Sequence, residues 1–313
     1  MKFCAPLKLS IAVSIFYLFS CQKASNNNRP VTPVNPADSS YISALYYVVP
    51  DANGNFTDKL RVFKYYYDNS KRVTEIVDSS FPVQGHSEYY ERMYLRYSGA
   101  DSLPYLSQLY AVDNGRGLMD TVIQYYFYDT NGRKIKDSSN NFSLYSTGQY
   151  YQSREVDEYL YQPGKIFASG YSTSVNYSSS DSTFTKDTAL LDANNNVISS
   201  MRYYRDGSYD TFKVGLITSI NYDSHYSPFL KLTSSKAFFV VPGLENLYME
   251  MFEGNNCTEI NQTLQDASSV ITFQYHEKYN FTYKPNGYPA EMIDTDVLHS
   301  SGDGKYIFIY TAL

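Results

Sequence analysis

The stretch YYFYDTNGRKIKDS, residues 125–138, carries the pattern that decides the fold class of this chain. It predicts an aromatic strand, a tight turn at residues 129–132 (Asp-Thr-Asn-Gly) and a charged return strand. Asn-Gly between two strand-like runs is the strongest short-range hairpin signal, because both residues tolerate the positive φ that such turns require. Tyr and Phe also favour strands, since they fit a half-buried pleated surface. The stretch therefore predicts an antiparallel β-hairpin.

The same pattern returns along almost the whole chain at a nearly constant period. An aromatic or apolar residue precedes each turn-like tetrapeptide, and successive members are 30–33 residues apart. Self-similarity at a fixed period indicates a repeat architecture. About 31 residues accommodate two strands of about ten residues and two connections. The members of the series are Tyr67, Tyr97, Tyr128, Tyr161, Leu191, Tyr222, Phe252 and Tyr283.

The repeat predicts an all-β domain of consecutive antiparallel hairpins, about eight units of about 31 residues. In the first unit, residues 59–67 form one strand and residues 72–78, which alternate polar and apolar, form the other. The connections between units are longer, so short turns should lie at one end of the sheet and long loops at the other. Residues 41–49 and 305–312 raise the number to at most about eighteen strands, and so large a sheet curls or closes. We expect a curved sheet, an open barrel or a closed one, and closure would remove exposed edges.

The N-terminus is typical of an export signal. Residues 1–20 place lysines before an apolar core that is shorter than the roughly 20 apolar residues of a transmembrane helix. The tetrapeptide Leu18-Phe19-Ser20-Cys21 resembles the lipobox of bacterial lipoproteins, although Phe19 replaces the usual small or aliphatic residue. The resemblance implies cleavage before Cys21 and diacylglycerol on its sulfur. The alternative is an ordinary cleavable signal followed by an incidental cysteine.

The segment after the signal is predicted to be a tether. Residues 21–40 are rich in Asn, Pro and Ser and cannot bury a hydrophobic core. Such a segment would hold a folded domain away from a membrane. We therefore divide the chain into a lipoprotein signal peptide over residues 1–20, a flexible tether over residues 21–40 and a single hairpin-repeat domain over residues 41–313.

Three repeat units carry a family resemblance. The segments YYYDNSKRVTEI (65–76), YYFYDTNGRKIKD (125–137) and NFTYKPNGYPAEMID (280–294) resemble the YD-type repeats of Rhs-like proteins. With the lipobox, the chain resembles uncharacterised Bacteroidetes lipoproteins that carry a domain of unknown function. The resemblance implies that the repeat is a structural unit without catalytic residues of its own. The units at Leu191 and Phe252 depart from the Tyr-Asp pattern.

Charge and composition exclude some partners. The formal net charge is −6, and residues 1–20 contain Lys2, Lys8 and no acid, so the mature chain carries −8. No cluster of Lys or Arg stands out in the sequence. A nucleic-acid partner would require such a cluster to offset phosphate repulsion, so none is expected.

No motif in the sequence assembles catalytic, metal or cofactor chemistry. The nucleophile elbow Gly-x-Ser-x-Gly is absent. Cys257 has no disulfide partner if Cys21 is acylated, and no His lies near it in sequence, so we predict an inert thiol. Cys21 is therefore the one modified residue that we predict, with no cofactor. The histidines, which show no metal-ligand spacing, are His86, His225, His276 and His299.

Two functional hypotheses follow. The first is a cell-envelope lipoprotein, held in the outer membrane by lipid on Cys21 and facing the periplasm or the cell surface. It would act as a non-enzymatic binding or scaffold module for a glycan, a peptide or another envelope partner, since Tyr combines flat apolar area with a hydroxyl. The second is an envelope hydrolase with a site in the longer loops.

A membrane-spanning barrel would show similar alternation, but candidate strands carry charges on both faces, as in Arg61 and Lys64, Glu155 and Glu158, and Arg202 and Arg205.

Overall fold

Sixteen β-strands build the wall of the domain in a computed structural model, which describes residues 40–313 except 52, 81–88, 114–116, 177–179, 194–195, 207–210, 230–254, 266–270 and 299–303. Each strand pairs antiparallel with its neighbours in sequence, and the last strand pairs with the first. The strands are β1 (Ser40–Pro50), β2 (Phe56–Tyr67), β3 (Val73–Ser80), β4 (Tyr89–Tyr97), β5 (Pro104–Asp113), β6 (Leu118–Tyr128), β7 (Lys134–Tyr145), β8 (Tyr150–Gln162), β9 (Lys165–Asn176), β10 (Ser180–Leu191), β11 (Val197–Asp206), β12 (Lys213–Tyr226), β13 (Asn255–Gln265), β14 (Ile271–Tyr283), β15 (Pro289–Asp296) and β16 (Gly304–Ala312).

The first and last strands close the sheet into a barrel. Ser40 of β1 lies opposite Ala312 of β16, and the ladder continues to Val48 and Lys305. Closure pairs the backbone groups of both edges, which would otherwise accept a strand from another chain. The prediction of an all-β domain of consecutive antiparallel hairpins is confirmed, and the sheet adopts the closed form.

The repeat is interrupted between β12 and β13. The sequence predicts a turn at residues 223–226, but β12 continues through this segment to Tyr226 and β13 begins only at Asn255. This one connection takes up the length of a repeat unit, so the described part of the chain has sixteen strands instead of at most about eighteen. The predicted repeat member Phe252 lies outside the described residues. Over the same described ranges, no helix is long and apolar enough to cross a membrane.

The aspartate after the repeat tyrosine organises the tight turn. Asp68 Oδ1 accepts hydrogen bonds from the backbone N–H groups two and four residues on, at 2.9 and 3.0 Å. Its Oδ2 accepts a hydrogen bond from Arg72 Nε at 2.7 Å. Asp129 and Arg133 repeat this arrangement in the third unit. One side chain thus satisfies the donors of the turn and fixes the arginine beside it.

In five units the repeat tyrosine joins its hairpin to the preceding part of the wall. The hydroxyl of Tyr97, at the end of β4, donates to the carbonyl oxygen of Val73, the first residue of β3, at 2.7 Å. The guanidinium of Arg72, from the preceding turn, lies 4.5 Å from the centroid of the Tyr97 ring. The sequence period therefore reflects a series of contacts between hairpins. The same hydroxyl-to-carbonyl bond joins Tyr67 to Ile42, Tyr128 to Pro104, Tyr161 to Lys134, Tyr222 to Val197 and Tyr310 to Pro289.

Removal of one such hydroxyl should weaken the barrel. For Tyr97→Phe we expect the free energy of unfolding to fall by about 1 kcal/mol, because a part-buried carbonyl oxygen loses its donor. Tyr90→Phe is the control, since Tyr90 lies on the same strand with an exposed, outward-facing side chain. It should change stability by less than about 0.5 kcal/mol. Urea denaturation followed by circular dichroism measures both values, and equal losses would contradict the role of the tyrosine hydroxyl.

Alternate residues of each strand face the interior and the outer wall. Interior apolar side chains from β1–β5 and β12–β16 pack as one cluster that includes Leu45, Phe63 and Phe308, each nearly fully buried. Phe229, which follows β12, is buried in the same cluster, and its ring centroid lies 6.1 Å from that of Tyr65. The interior of this half of the barrel is therefore packed with side chains.

The two faces of the wall differ in charge. Residues opposite each other in a ladder lie on the same face, so the register assigns each described charged side chain to a face. The interior carries Asp78, Glu91, Asp113, Asp120, Asp137, Glu155, Asp157, Asp181, Asp187, Glu277, Asp294 and Asp296 against Arg61, Lys134, Arg202 and Lys213. The outer wall carries Lys59, Lys64, Arg92, Arg96, Lys136, Arg154, Lys165, Lys186, Arg205, Lys278 and Lys305 against Glu75, Glu158, Glu259 and Glu291. Acids thus concentrate inside and bases outside.

Candidate functional site: an opening between two strands

The wall opens where β13 separates from β14. Their ladder runs from Glu259 opposite Lys278 to Gln265 opposite Ile271, whereas β14 continues to Tyr283. The first residues of β13 pair instead with the end of β12. A cavity of about 470 Å³ lies in this gap, which we call the β13–β14 opening. Its lining includes Asn221, Asp223, His225, Glu259, Lys278 and Tyr283.

Asp223 is the first carboxylate of the opening. It accepts a hydrogen bond from the Tyr283 hydroxyl and longer ones, 3.2 and 3.3 Å, from Asn256 Nδ2. The imidazole of His225 stacks on the Tyr283 ring, with centroids 3.9 Å apart and planes 17° apart. Burial raises the pKa of the Tyr283 hydroxyl, and its bond to Asp223 raises it further, so it remains a neutral donor. Asp223 thereby fixes an aromatic pair at one side of the cavity.

Glu259 is the second carboxylate. His276 Nε2 lies 2.7 Å from Glu259 Oε1, and Asn221 Nδ2 donates to Oε2 at 2.7 Å. Lys278 Nζ is 3.8 Å from Oε1. The hydrogen bonds from His276 and then Asn221 hold the pKa of Glu259 below its ordinary value. Glu259 is therefore an ionised acceptor that is held by side chains from both neighbouring strands.

The chemistry of the opening suits recognition. Two carboxylates and the amides beside them can accept hydrogen bonds from hydroxyl or ammonium groups, and the stacked His225 and Tyr283 rings offer a flat apolar surface. Within the described ranges, no group of three His, Cys, Asp or Glu side chains could hold a metal ion. The opening lies beside the β12–β13 connection, at the end of the barrel that carries the tight turns.

Sequence reasoning did not identify these residues. Asn221 and Glu259 are 38 positions apart, and Asp223 and Tyr283 are 60 positions apart. The sequence places Asp223 in a turn and Tyr283 in the structural repeat. Neither position indicates that the residue lines a cavity. No local signal could have found the opening, because it forms only where two ladders diverge.

The cysteines and histidines in the described part of this chain do not form one cluster. His225 lines the β13–β14 opening and His276 contacts Glu259 beside it. Cys21, the predicted lipidation site, lies outside the described residues, as do His86 and His299. Cys257 is buried, and its thiol lies 3.5 Å from the carbonyl oxygen of Glu259. Burial protects a thiol from reagents, and the inert cysteine stays a prediction.

A second polar cluster lies inside the barrel. Arg202 forms hydrogen bonds with both oxygens of Asp187, at 2.6 and 3.0 Å, and both side chains are almost fully buried. Lys134 Nζ lies 2.6 Å from Asp137. Asp157, between these two pairs, is 3% exposed, and burial raises the pKa of its carboxyl well above the ordinary value. The cluster is buried, so its charged groups pair with one another inside the barrel.

Gly170 makes room for this cluster. A Cβ atom at this position would lie 2.2 Å from Asp157 Oδ1 and 2.3 Å from Thr185 Oγ1, both closer than van der Waals contact allows. Any side chain here would displace the two buried polar groups that approach from either side. Glycine at this strand position therefore belongs to the packing of the buried cluster.

The chain is thus a closed, all-antiparallel barrel of sixteen strands built from repeated hairpins. No family model and no curated protein matches it. Its fold is similar to that of a porin-like protein from Bacteroides vulgatus ATCC 8482, with a TM-score of 0.51, 12% identity, 88% of this chain covered and 100% of that chain. A porin-like protein from Bacteroides uniformis ATCC 8492 matches with a TM-score of 0.39 and 11% identity, over 86% of this chain and 98% of that chain. The resemblance to YD-type repeats and to envelope lipoproteins stays a prediction.

Proposed function

We propose that this chain is a non-enzymatic binding module of the cell envelope and that its ligand site is the β13–β14 opening. The observation that carries the proposal is the pair of carboxylates, Asp223 and Glu259, set beside the stacked rings of His225 and Tyr283. Fixed acceptors next to an aromatic surface bind glycans and peptides through their hydroxyl and amine groups.

The alternative, an envelope hydrolase, has less support. A glycosidase requires one carboxylic acid with a raised pKa to protonate the leaving group. Hydrogen bonds hold the pKa of Glu259 below its ordinary value, which is the opposite direction. Asp223 is occupied by Tyr283 and Asn256. Both carboxylates are therefore arranged as acceptors.

A ligand screen tests this function. Glycan and envelope-peptide arrays should yield a ligand for the wild-type protein, and Glu259→Gln should weaken its binding by at least about tenfold, because a neutral amide presents a donor where the ligand requires an acceptor. Glu158→Gln is the matched control, since Glu158 is an exposed carboxylate on the outer wall of β8. Equal binding by the two variants, or turnover of the ligand by wild type, would contradict the proposal.

The charged side chains on the outer wall support the proposal that the barrel lies outside the hydrocarbon core of the membrane. A membrane-spanning barrel presents an uncharged band about 25 Å tall, and each Lys or Arg at mid-height costs about 2–4 kcal/mol. Here Arg92 on β4, Arg154 on β8 and Lys278 on β14 face outward near the centres of their strands. We therefore propose that the barrel stands in water and that the lipid on Cys21 holds it at the outer membrane.

Substitution of the anchor tests this position. In cells that express Cys21→Ala, we expect a carbonate wash to release the protein from the membrane fraction without detergent, because no acyl chain remains to anchor it through the wash. Cys257→Ala is the control and should stay with the membrane. Retention of Cys21→Ala in the carbonate-washed membrane fraction would show that the wall itself is embedded.

A further inference from the structure

An uncharged apolar stripe runs along one side of the barrel. It consists of the outward residues of two neighbouring strands, β5 and β6, and we call it the β5–β6 stripe. Several of its side chains are exposed to an extent unusual for large apolar groups, with Phe127 at 48% and Met119 at 55%. Its main members are Tyr110, Val112, Met119, Ile123, Tyr125 and Phe127.

The stripe is not a general property of the wall. On the far side of the barrel, the outer face of β13 and β14 carries Glu259, His276 and Lys278, which contact one another. That face therefore carries charges of both signs. A contiguous apolar surface on a water-facing wall marks a contact with a partner. Single outward apolar side chains, such as Leu160 and Ile309, are exposed elsewhere on the wall.

Basic residues border the stripe on both sides. Arg96 lies on β4, next to β5, and Arg154 lies on β8, beyond β7. Lys186 and Arg205 continue the basic surface onto β10 and β11. Among described residues of β4–β11, the register places one acid, Glu158, on the outer face, since the other acids of these strands point inward. This side therefore has a positive surface although the mature chain is acidic.

We infer that the β5–β6 stripe docks on a membrane surface with anionic head groups, so that the barrel lies on its side against the bilayer. Tyr and Phe favour the interface between lipid and water, and flanking Arg and Lys are attracted to anionic lipid. A second copy of the chain fits less well, because two stripes face to face would bring their basic borders together. The charged far side explains why the contact is one-sided.

Vesicle flotation with the full chain tests the inference. The protein carries Cys21→Ala, so that no acyl chain contributes to binding. It should float with phosphatidylglycerol vesicles and much less with phosphatidylcholine vesicles. Tyr125→Ser/Phe127→Ser should reduce binding by at least about tenfold. The control, Ile307→Ser/Ile309→Ser, changes outward residues of β16 and should bind like the parent.

A second variant tests the inference even if the serine substitutions prevent folding. Arg96→Gln/Arg154→Gln leaves the stripe intact and should abolish the preference for anionic vesicles, with an unchanged circular dichroism spectrum. Absence of vesicle binding by the parent, or equal binding by stripe and control variants, would overturn the inference. So would a dimer in light scattering that becomes a monomer only in the stripe variant. The inference rests on the outer wall alone, so it survives a failed ligand screen for the β13–β14 opening.

Discussion

Arg202→Met should destabilise the barrel by about 3–5 kcal/mol, because it leaves Asp187 buried without its partner. Arg202 and Asp187 are 5% and 4% exposed and share two hydrogen bonds. The loss also removes one of the two positive charges, with that of Lys134, that lower the pKa of Asp157. Denaturant unfolding followed by circular dichroism measures the change in the free energy of unfolding.

Two variants make this measurement specific. Arg205→Met removes the same kind of side chain from the same strand, but from the outer wall, and should cost less than about 1 kcal/mol. Arg202→Met/Asp187→Leu removes both charges and should recover most of the loss, since apolar residues of similar size replace buried ion pairs well. If Arg202→Met is as stable as the parent, the interior pairing is wrong.

The barrel should become more stable as the pH falls from 7.5 towards 4. Burial raises the pKa of Asp78 from 3.8 to about 6, although its bond with Arg61 opposes the shift. The folded state therefore binds more protons than the unfolded state between these two values, so stability rises as the pH falls through this window and is lowest above it. A shift of this size corresponds to about 3 kcal/mol, of which roughly half is gained by pH 5. The pKa values of the buried Asp157 and Asp187 are raised too and act in the same direction.

Aspartates in the tight turns set the pH below which this gain in stability ends. Hydrogen bonds from the backbone and from arginine hold the pKa values of Asp68 and Asp129 below the ordinary value. Their stabilisation is present at neutral pH and is lost as the pH falls below about 4. Urea denaturation curves at intervals from pH 7.5 to pH 3 should show a maximum between these limits. Asp78→Asn should reduce the rise, and a steady decline from pH 7.5 to pH 5 would contradict the burial of the interior acids.

The local features of the fold could be read from the sequence because their causes are local. Asn131-Gly132 and the Asp129 turn depend on residues within one tetrapeptide. The period of the tyrosines follows from the bond that five of them make to the preceding strand or hairpin, which requires a similar spacing in each of these units. The interruption after β12 was missed, because Tyr222 and Asp223 have the composition of a turn while tertiary pairing extends the strand.

The β13–β14 opening could not be predicted. Its carboxylates come from different strands, and the cavity exists because the ladder between β13 and β14 ends at Glu259 opposite Lys278. The end of a ladder depends on how neighbouring strands pair, and no residue in either strand indicates where the ladder ends. His276 illustrates the same limit, since its bond to Glu259 crosses a ladder and has no counterpart in the spacing of the sequence.

The antiparallel hairpins, the turn chemistry and the repeat follow from the sequence, because each depends on contacts between neighbouring residues or neighbouring units. Three further properties depend on how the strands pair in the folded chain: closure through β1 and β16, the position of the cavity, and the separation of charge between the two faces. In the sequence, acids and bases alternate and sum to a modest net negative charge, so no basic cluster is visible. Once the strands are paired, successive residues point to opposite faces, and the same alternation places acids inside and bases outside.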